Sequence, residues 1–326
     1  MSSGLIPAIS LKNLTVDYSL EGTEKLHALR GINLDIMPGE SAAIVGESGC
    51  GKSTLAFSLL KLGAVNAEVS GGIIISGLDI NSASKEGLRK IRGVKAAMIF
   101  QDPAASLNPL FTVREQIAEA IMAHATRRPA TEALEAAVLS LLKDAGLEDT
   151  SRIMDSYPHQ LSGGQQQRVM IAIALSCSPG ILIADEPTTA LDVTVQAQIV
   201  ELLGKLKKER GLTLLLITHD LNLAAALCPR VVVMYAGEIM EDAAIGSIND
   251  AVHPYTRALF EVIPGINSGS REFRVIKGAI PDLRRTAPGC SFEPRCPRAR
   301  EKCAKTHPAV ENGVRCFFPF KKGGGA

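Results

Sequence analysis

Gly46-Glu-Ser-Gly-Cys-Gly-Lys-Ser53 is the stretch on which the reading of the chain turns. It follows the apolar run Ser41-Ala-Ala-Ile-Val45 and opens a segment, Lys52 to about Lys61, that reads as a helix. A compact apolar run ending in a glycine-rich turn is what a buried parallel strand requires. The stretch fits the pattern G-x-x-x-x-G-K-[ST], in the strand-then-helix context the pattern needs. Gly46, Gly49 and Gly51 let successive amides turn inward around phosphate oxygens, and the helix start adds a favourable dipole. Lys52 is expected to reach the β- and γ-phosphates, Ser53 to give its hydroxyl oxygen to Mg²⁺, and Thr54 to lie beside the α-phosphate. Ser48 and Cys50 complete the ATP-binding loop. Cys50 reads first as a small residue filling a tight turn. Its second reading is an alkylation-sensitive thiolate favoured by nearby amides and Lys52.

The second half of a phosphate-handling site is Ile181-Leu-Ile-Ala-Asp-Glu186. An apolar strand delivers Asp185, suited to orient Mg²⁺ through a water, and Glu186 one residue on can polarise an attacking water. A nucleoside triphosphatase follows. Around these motifs strands alternate with helices. Ile9–Ile36 reads as short β segments. Lys95–Gln101, Gly180–Ala184, Leu212–Thr218 and Arg230–Tyr235 read as strands, and Val113–Ala123, Thr131–Gly146 and Val193–Glu209 as helices. The alternation predicts an α/β fold with a mainly parallel sheet, interrupted by a helical subdomain over about 105–165. The expected domains are an ATPase domain over 1–248 and an irregular C-terminal extension over 249–326, rich in Pro and Gly, with a frayed end from Lys321.

Composition narrows the class. The 326 residues carry a net charge of +1, which gives no long-range attraction toward nucleic acid. Hydrophobic residues at 46% against 21% charged exclude wholesale disorder. No apolar run reaches the roughly 18–20 residues a membrane span needs, and the N-terminal stretch lacks a secretory pattern, so a cytosolic location is expected.

Leu161-Ser-Gly-Gly-Gln165 sharpens the class, and with it the chain resembles the ATP-binding subunit of an ABC transporter. Tyr18 matches the family's adenine-stacking aromatic and Gln101 its glutamine between subdomains, which also faces Mg²⁺. Ala190-Leu-Asp192 matches its dimer-contact segment through Asp192, and Thr218-His-Asp220 its final histidine, His219. The resemblance implies that Leu161, Ser162, Gly163, Gly164 and Gln165 bind the nucleotide held by an opposing subunit. It also implies that Glu186 activates water and that His219 steadies Glu186 and the γ-phosphate. An exposed helix start at Ser162 is able to bind anionic oxygen through amides and a hydroxyl.

Tyr157-Pro-His-Gln before the LSGGQ stretch, Asp185-Glu-Pro-Thr-Thr-Ala-Leu-Asp-Val-Thr194, and His253-Pro-Tyr-Thr-Arg-Ala-Leu259 are similar to the oligopeptide/dipeptide/nickel importer branch. That likeness implies an ATPase that energises import of di- or oligopeptides by ATP-driven closure of a dimer. A nickel or metal-chelate importer is the alternative in the same class, and a soluble ABC ATPase of repair or translation is a more distant one. The implied partners are a second ABC ATPase subunit in a heterodimer, two permeases whose coupling helices meet the segment around Gln101–Phe111, and an extracytoplasmic binding protein, with no nucleic acid. The implied location is peripheral, on the cytoplasmic face of the plasma membrane.

Cys290, Cys296, Cys303 and Cys316 crowd the end of the chain. Four thiolates suit an iron–sulfur cluster or zinc, and from spacing alone a metal-free arrangement stays open. Arg295, Arg298, Arg300, Lys302 and Arg315 are expected to lower the thiol pKa values. The family resemblance favours a [4Fe–4S] cluster, with zinc as the alternative.

Overall fold

A computed structural model of the chain describes residues 6–20, 24–189, 191–261, 276–285 and 288–321. Ala190, residues 262–275 of the C-terminal extension and residues 322–326 of the expected frayed end lie outside them.

In chain order the elements are β1 (Ile9–Ser19), β2 (Lys25–Ile36), β3 (Ser41–Val45), α1 (Lys52–Leu59), β4 (Ala67–Ile75), β5 (Leu78–Asp79), α2 (Lys85–Ile91) and β6 (Ala96–Ile99). Next come α3 (Pro103–Ser106), α4 (Val113–Met122), α5 (Thr131–Asp144), α6 (Thr150–Met154), α7 (Gly163–Leu175), β7 (Ile181–Asp185) and α8 (Val193–Arg210). The last are β8 (Thr213–Thr218), α9 (Leu221–Leu227), β9 (Arg230–Tyr235), β10 (Glu238–Ala244), α10 (Pro254–Glu261) and α11 (Glu301–Lys305).

The chain divides into two compact units. One is built from Ile36–Glu40 and Ile74–Leu216, the other from Ile9–Asp35, Ser41–Ile73 and the chain from Ile217 onward. In the first, β6 and β7 pair in parallel, Ala96 opposite Ile181 through Ile99 opposite Ala184. Both strands are buried throughout, which their unbroken apolar runs require. The helices α3 to α7 of this unit close on their own core, where Leu107, Val113, Ile117, Val138, Leu142, Ile153 and Val169 pack together. Local chemistry fixes their ends. Thr112 and Glu115 form a reciprocal capping box at the start of α4, and Asp192 caps α8, which Gly211 ends in a left-handed turn.

In the second unit β3 pairs in parallel with β9, and β9 pairs antiparallel with β10 across a bulge between Ile239 and Glu241. Strands β2, β1 and β4 lie side by side. Every residue of β3 is buried. The expected strand Lys95–Gln101 is shorter than read, because Asp102 turns the chain into α3 by capping Ala104 and Ala105. The helix opening at Lys52 stops at Leu59, and Lys61 adopts a left-handed backbone with φ 51°. No helix among the described residues is long and apolar enough to cross a membrane.

The C-terminal extension packs on β9 and β10 within the same unit. Tyr255 and Phe292 are buried against Tyr235, with ring centroids 4.7 Å (Tyr255) and 5.3 Å (Phe292) from it. Two buried carboxylates of β10 hold the extension. Glu241 accepts the backbone N–H groups of Val252 and His253 at 3.0 Å each. Glu238 accepts hydrogen bonds from Ser291 and His307 and lies 3.8 Å from the Arg30 guanidinium. Burial alone would push the Glu238 carboxyl up, but the hydrogen bonds from His307 and Ser291 carry it below its ordinary value.

Candidate active site

The residues read from the sequence as nucleotide-handling fall in both units, and each set is built locally. In the second unit the phosphate loop is pressed against neighbouring backbone. A Cβ on Gly46 would stand 2.2 Å from the Met234 carbonyl oxygen of β9, and one on Gly51 2.5 Å from that of Ala28 in β2. Gly51, at φ 101°, turns the chain directly into α1. Only glycine satisfies both demands there. Lys52 is buried, and its Nζ donates to the carbonyl oxygens of Gly46 and Glu47 at 2.9 Å each, so the ammonium sits across the mouth of the loop. The Tyr18 hydroxyl donates to Thr54 Oγ1 at 3.4 Å, which puts the expected adenine-stacking ring beside the start of α1. Ser53 and Thr54 are half-buried on the first turn of that helix, and Ser48 and Gly49 lie on the loop's exposed side. His219 is exposed just past the end of β8.

Cys50 is fully buried, and its carbonyl accepts the Gly237 N–H at 3.0 Å. Burial pushes its thiol pKa up despite Lys52 Nζ at 3.8 Å. The thiolate reading is therefore corrected: desolvation outweighs the ammonium, and Cys50 is a packing residue.

In the first unit Asp185 is buried at the end of β7, and Glu186 follows in a left-handed backbone at φ 47°. A non-glycine residue in that region costs about 1–2 kcal/mol, and such strain gathers where function requires a side chain to be aimed. Gln101 Nε2 donates to Glu186 Oε2 at 3.1 Å, and the Thr189 hydroxyl donates to the same oxygen at 2.8 Å. The pairing of Gln101 with Glu186 joins two residues singled out from the sequence. Thr189 was not among them, although its place three residues after Glu186 is the span of a local side-chain turn.

Leu161 is buried, while Ser162 and Gly163 are exposed at the N-terminus of α7. Ser162 Oγ accepts the Gln165 N–H at 3.3 Å and Gln165 Oε1 accepts the Ser162 N–H at 3.0 Å, so the pair forms a capping box. A Cβ on Gly164 would come within 2.7 Å of a Val195 methyl group. Asp192 is exposed, and its carboxylate accepts the Val195 N–H at 3.0 Å as the cap of α8.

Cys290, Cys296, Cys303 and Cys316 line one pocket of the second unit, together with His253, Phe292 and Arg298. Among the described residues no group of three or more His, Cys, Asp or Glu side chains is arranged to hold a metal ion. The donor set thus fits a four-thiolate ligand chemistry, whereas its present arrangement does not amount to a metal centre. The expected lowering of thiol pKa by the basic residues is also corrected. Burial pushes Cys290 up to about 11 and raises Cys296 and Cys316. Arg298 alone of the five pulls Cys296 and Cys316 down as expected, and burial outweighs it. The other cations are engaged elsewhere: Arg300 over the Phe318 ring, Lys302 over Phe317, Arg315 on the carbonyls of Ile239 and Pro308, and Arg295 on Glu47.

The fold matches solved ATP-binding cassettes. A dimeric structure of the cassette MJ0796 in a post-hydrolysis state bound to ADP and phosphate is 36% identical, with a TM-score of 0.66, and covers 73% of this chain and 98% of that one. The pattern of the family described as ABC transporter matches residues 29–189, and that of the oligopeptide/dipeptide transporter C-terminal region matches residues 240–303. The oligopeptide transport ATP-binding protein AppD of Bacillus subtilis is 43% identical over 94% of this chain and 95% of its own length. The probable peptide ABC transporter ATP-binding protein y4tR of Sinorhizobium fredii is 47% identical over 87% of this chain and 85% of its own. OppD of Escherichia coli, an oligopeptide transport ATP-binding protein, is 43% identical over 96% and 94%. The chain belongs to the ABC transporter ATPases that carry the oligopeptide/dipeptide transporter C-terminal region.

Proposed function

We propose that the chain is the ATP-hydrolysing subunit of an importer of di- and oligopeptides. The observation that carries this reading is its likeness, nearly end to end, to oligopeptide transport ATP-binding proteins. The amides of Gly46–Ser53 and the Lys52 ammonium take the phosphates, Tyr18 takes the adenine, and Thr54 lies beside the α-phosphate. The oxygen donors Ser53, Asp185 and Gln101 suit Mg²⁺, whose charge would neutralise the phosphate oxygens. Glu186 accepts the proton of the attacking water and His219 steadies the γ-phosphate. Leu161–Gln165 serves the nucleotide of an opposing ATPase subunit, with Asp192 at that contact, so hydrolysis follows closure of the two subunits. The remaining partners are two permeases and an extracytoplasmic binding protein, and the chain sits peripherally on the cytoplasmic face of the membrane. The proposed division of the chain is an ATPase domain over 1–248 and an extension over 249–326.

Vesicles carrying the chain with its permeases, second ATPase subunit and binding protein are expected to accumulate a labelled tripeptide only with ATP. ATP-driven uptake of nickel with no peptide uptake would overturn the assignment of cargo.

Cys290, Cys296, Cys303 and Cys316 are proposed as ligands of a [4Fe–4S] cluster, supported by their convergence on one pocket. Such a group would staple a segment with little apolar core of its own. Anaerobically purified chain is expected to contain about four iron and four sulfide. One zinc and no iron would assign the pocket to zinc.

A further inference from the structure

One side chain of the phosphate loop faces the C-terminal extension. The Glu47 carboxylate is gripped at both oxygens by Arg295, with Nη1 2.7 Å from Oε2 and Nη2 3.0 Å from Oε1. The Arg295 side chain is only 4% exposed. Its other donors are also used, Nε on the Lys277 carbonyl at 3.0 Å, Nη2 on that of Ile276 at 3.1 Å, and Nη1 on the Tyr235 hydroxyl at 3.2 Å. A guanidinium has five N–H donors in a rigid fork, so one buried arginine with every donor engaged has a single orientation. The Glu47 backbone N–H donates to the hydroxyl of the buried Tyr255 at 3.1 Å. The remaining polar group of Glu47, its carbonyl, accepts Lys52 Nζ on the other side.

Glu47 therefore joins two systems. Its carboxylate and N–H are held by the extension, and its carbonyl seats the lysine that meets phosphate. We propose that Arg295 and Tyr255 are positioning residues for ATP: Tyr255 holds the peptide N–H of Glu47 and Arg295 its side chain, and together they keep the phosphate loop in its binding shape before nucleotide arrives. The extension is thereby part of the nucleotide site, although neither residue touches phosphate. Preorganisation of this kind acts on affinity, because a loop that must order itself on binding gives up part of the binding free energy. The proposal rests on Gly46–Ser53 being the nucleotide site.

The test uses the full-length chain in complex with its partner ATPase subunit, with ATP affinity, KM and kcat measured on Arg295→Met, Glu47→Gln, the double variant and Tyr255→Phe. Either single change at the ion pair is expected to raise Kd and KM for ATP about tenfold, with kcat falling less than twofold. The double variant is expected to be no worse than the singles, since the two residues act as one pair. Arg295→Lys keeps the charge but not the fork, and is expected to recover only part of the loss. Tyr255→Phe removes only an oxygen from a packed ring and is expected to raise Kd about threefold, with the melting temperature lowered by no more than a few degrees for the one lost hydrogen bond. Wild-type ATP affinity in Glu47→Gln and Tyr255→Phe would overturn the proposal, as would additive losses in the double variant. Absence of ATP binding by the wild-type complex would instead strike the nucleotide site itself and the proposal with it.

Discussion

Glu186→Gln is expected to bind ATP within about twofold of wild type and to lose turnover by about 10²–10⁴-fold, the range for removal of a general base. The substitution is nearly isosteric. Gln101 and Thr189 both donate to one oxygen of Glu186, and a glutamine carbonyl accepts from both just as a carboxylate oxygen does. The strained backbone at φ 47° is kept, because glutamine meets the same steric conditions there. What disappears, under the proposed role of Glu186, is the capacity to take a proton from water. If binding drives closure and hydrolysis drives reopening, as proposed, nucleotide-bound dimers are then expected to accumulate. Phosphate release, ATP binding and particle size measured together check this. Turnover near that of wild type would remove Glu186 from the mechanism.

Lys52→Ala is expected to weaken ATP binding at least about a hundredfold. The ammonium is buried and held by two loop carbonyls at 2.9 Å each. Under the proposed role of Lys52, anionic oxygens of an entering triphosphate displace those carbonyls as partners. Each charge-assisted hydrogen bond is worth about 1.5–3 kcal/mol, so losing two of them removes a hundredfold or more. Loosening of the loop adds to the loss, because the carbonyls of Gly46 and Glu47 lose their common donor. Titration with a fluorescent ATP analogue, alongside circular dichroism to confirm folding, reads the effect. Binding within threefold of wild type would show that Lys52 does not contact the phosphates.

The parts of this molecule that are local in sequence were legible in it. An unbroken apolar run bounded by glycine identified β3, and a similar run ending in two acids identified β7. The helix starts at Val113 and Ser162 were read, but not the capping boxes that fix them, although each joins residues three apart. Strands β4 and β10 were not read. Gly71 and Gly72 interrupt the alternation of β4, and β10 mixes buried Glu238 and Glu241 with apolar residues, because its acids cap the extension rather than face water. Within the site, glycine and lysine positions announced themselves through the pattern they form. The partner of Glu47 did not, since Arg295 lies 248 residues away and nothing in the neighbourhood of either residue marks the other. The thiols were misjudged for a related reason. Counting nearby basic residues ignores both burial and the aromatic rings and carbonyls that already occupy those cations.

The grip of Arg295 on Glu47 also limits how freely this protein's parts can be exchanged. A hybrid that joins this chain's front portion to the tail of a cousin inherits a working pocket only when the donor tail brings a matching base. Engineers who trim or swap the tail to alter assembly should transplant both ends of that link as one cassette, or rebuild the acid at position 47 to suit its new neighbour.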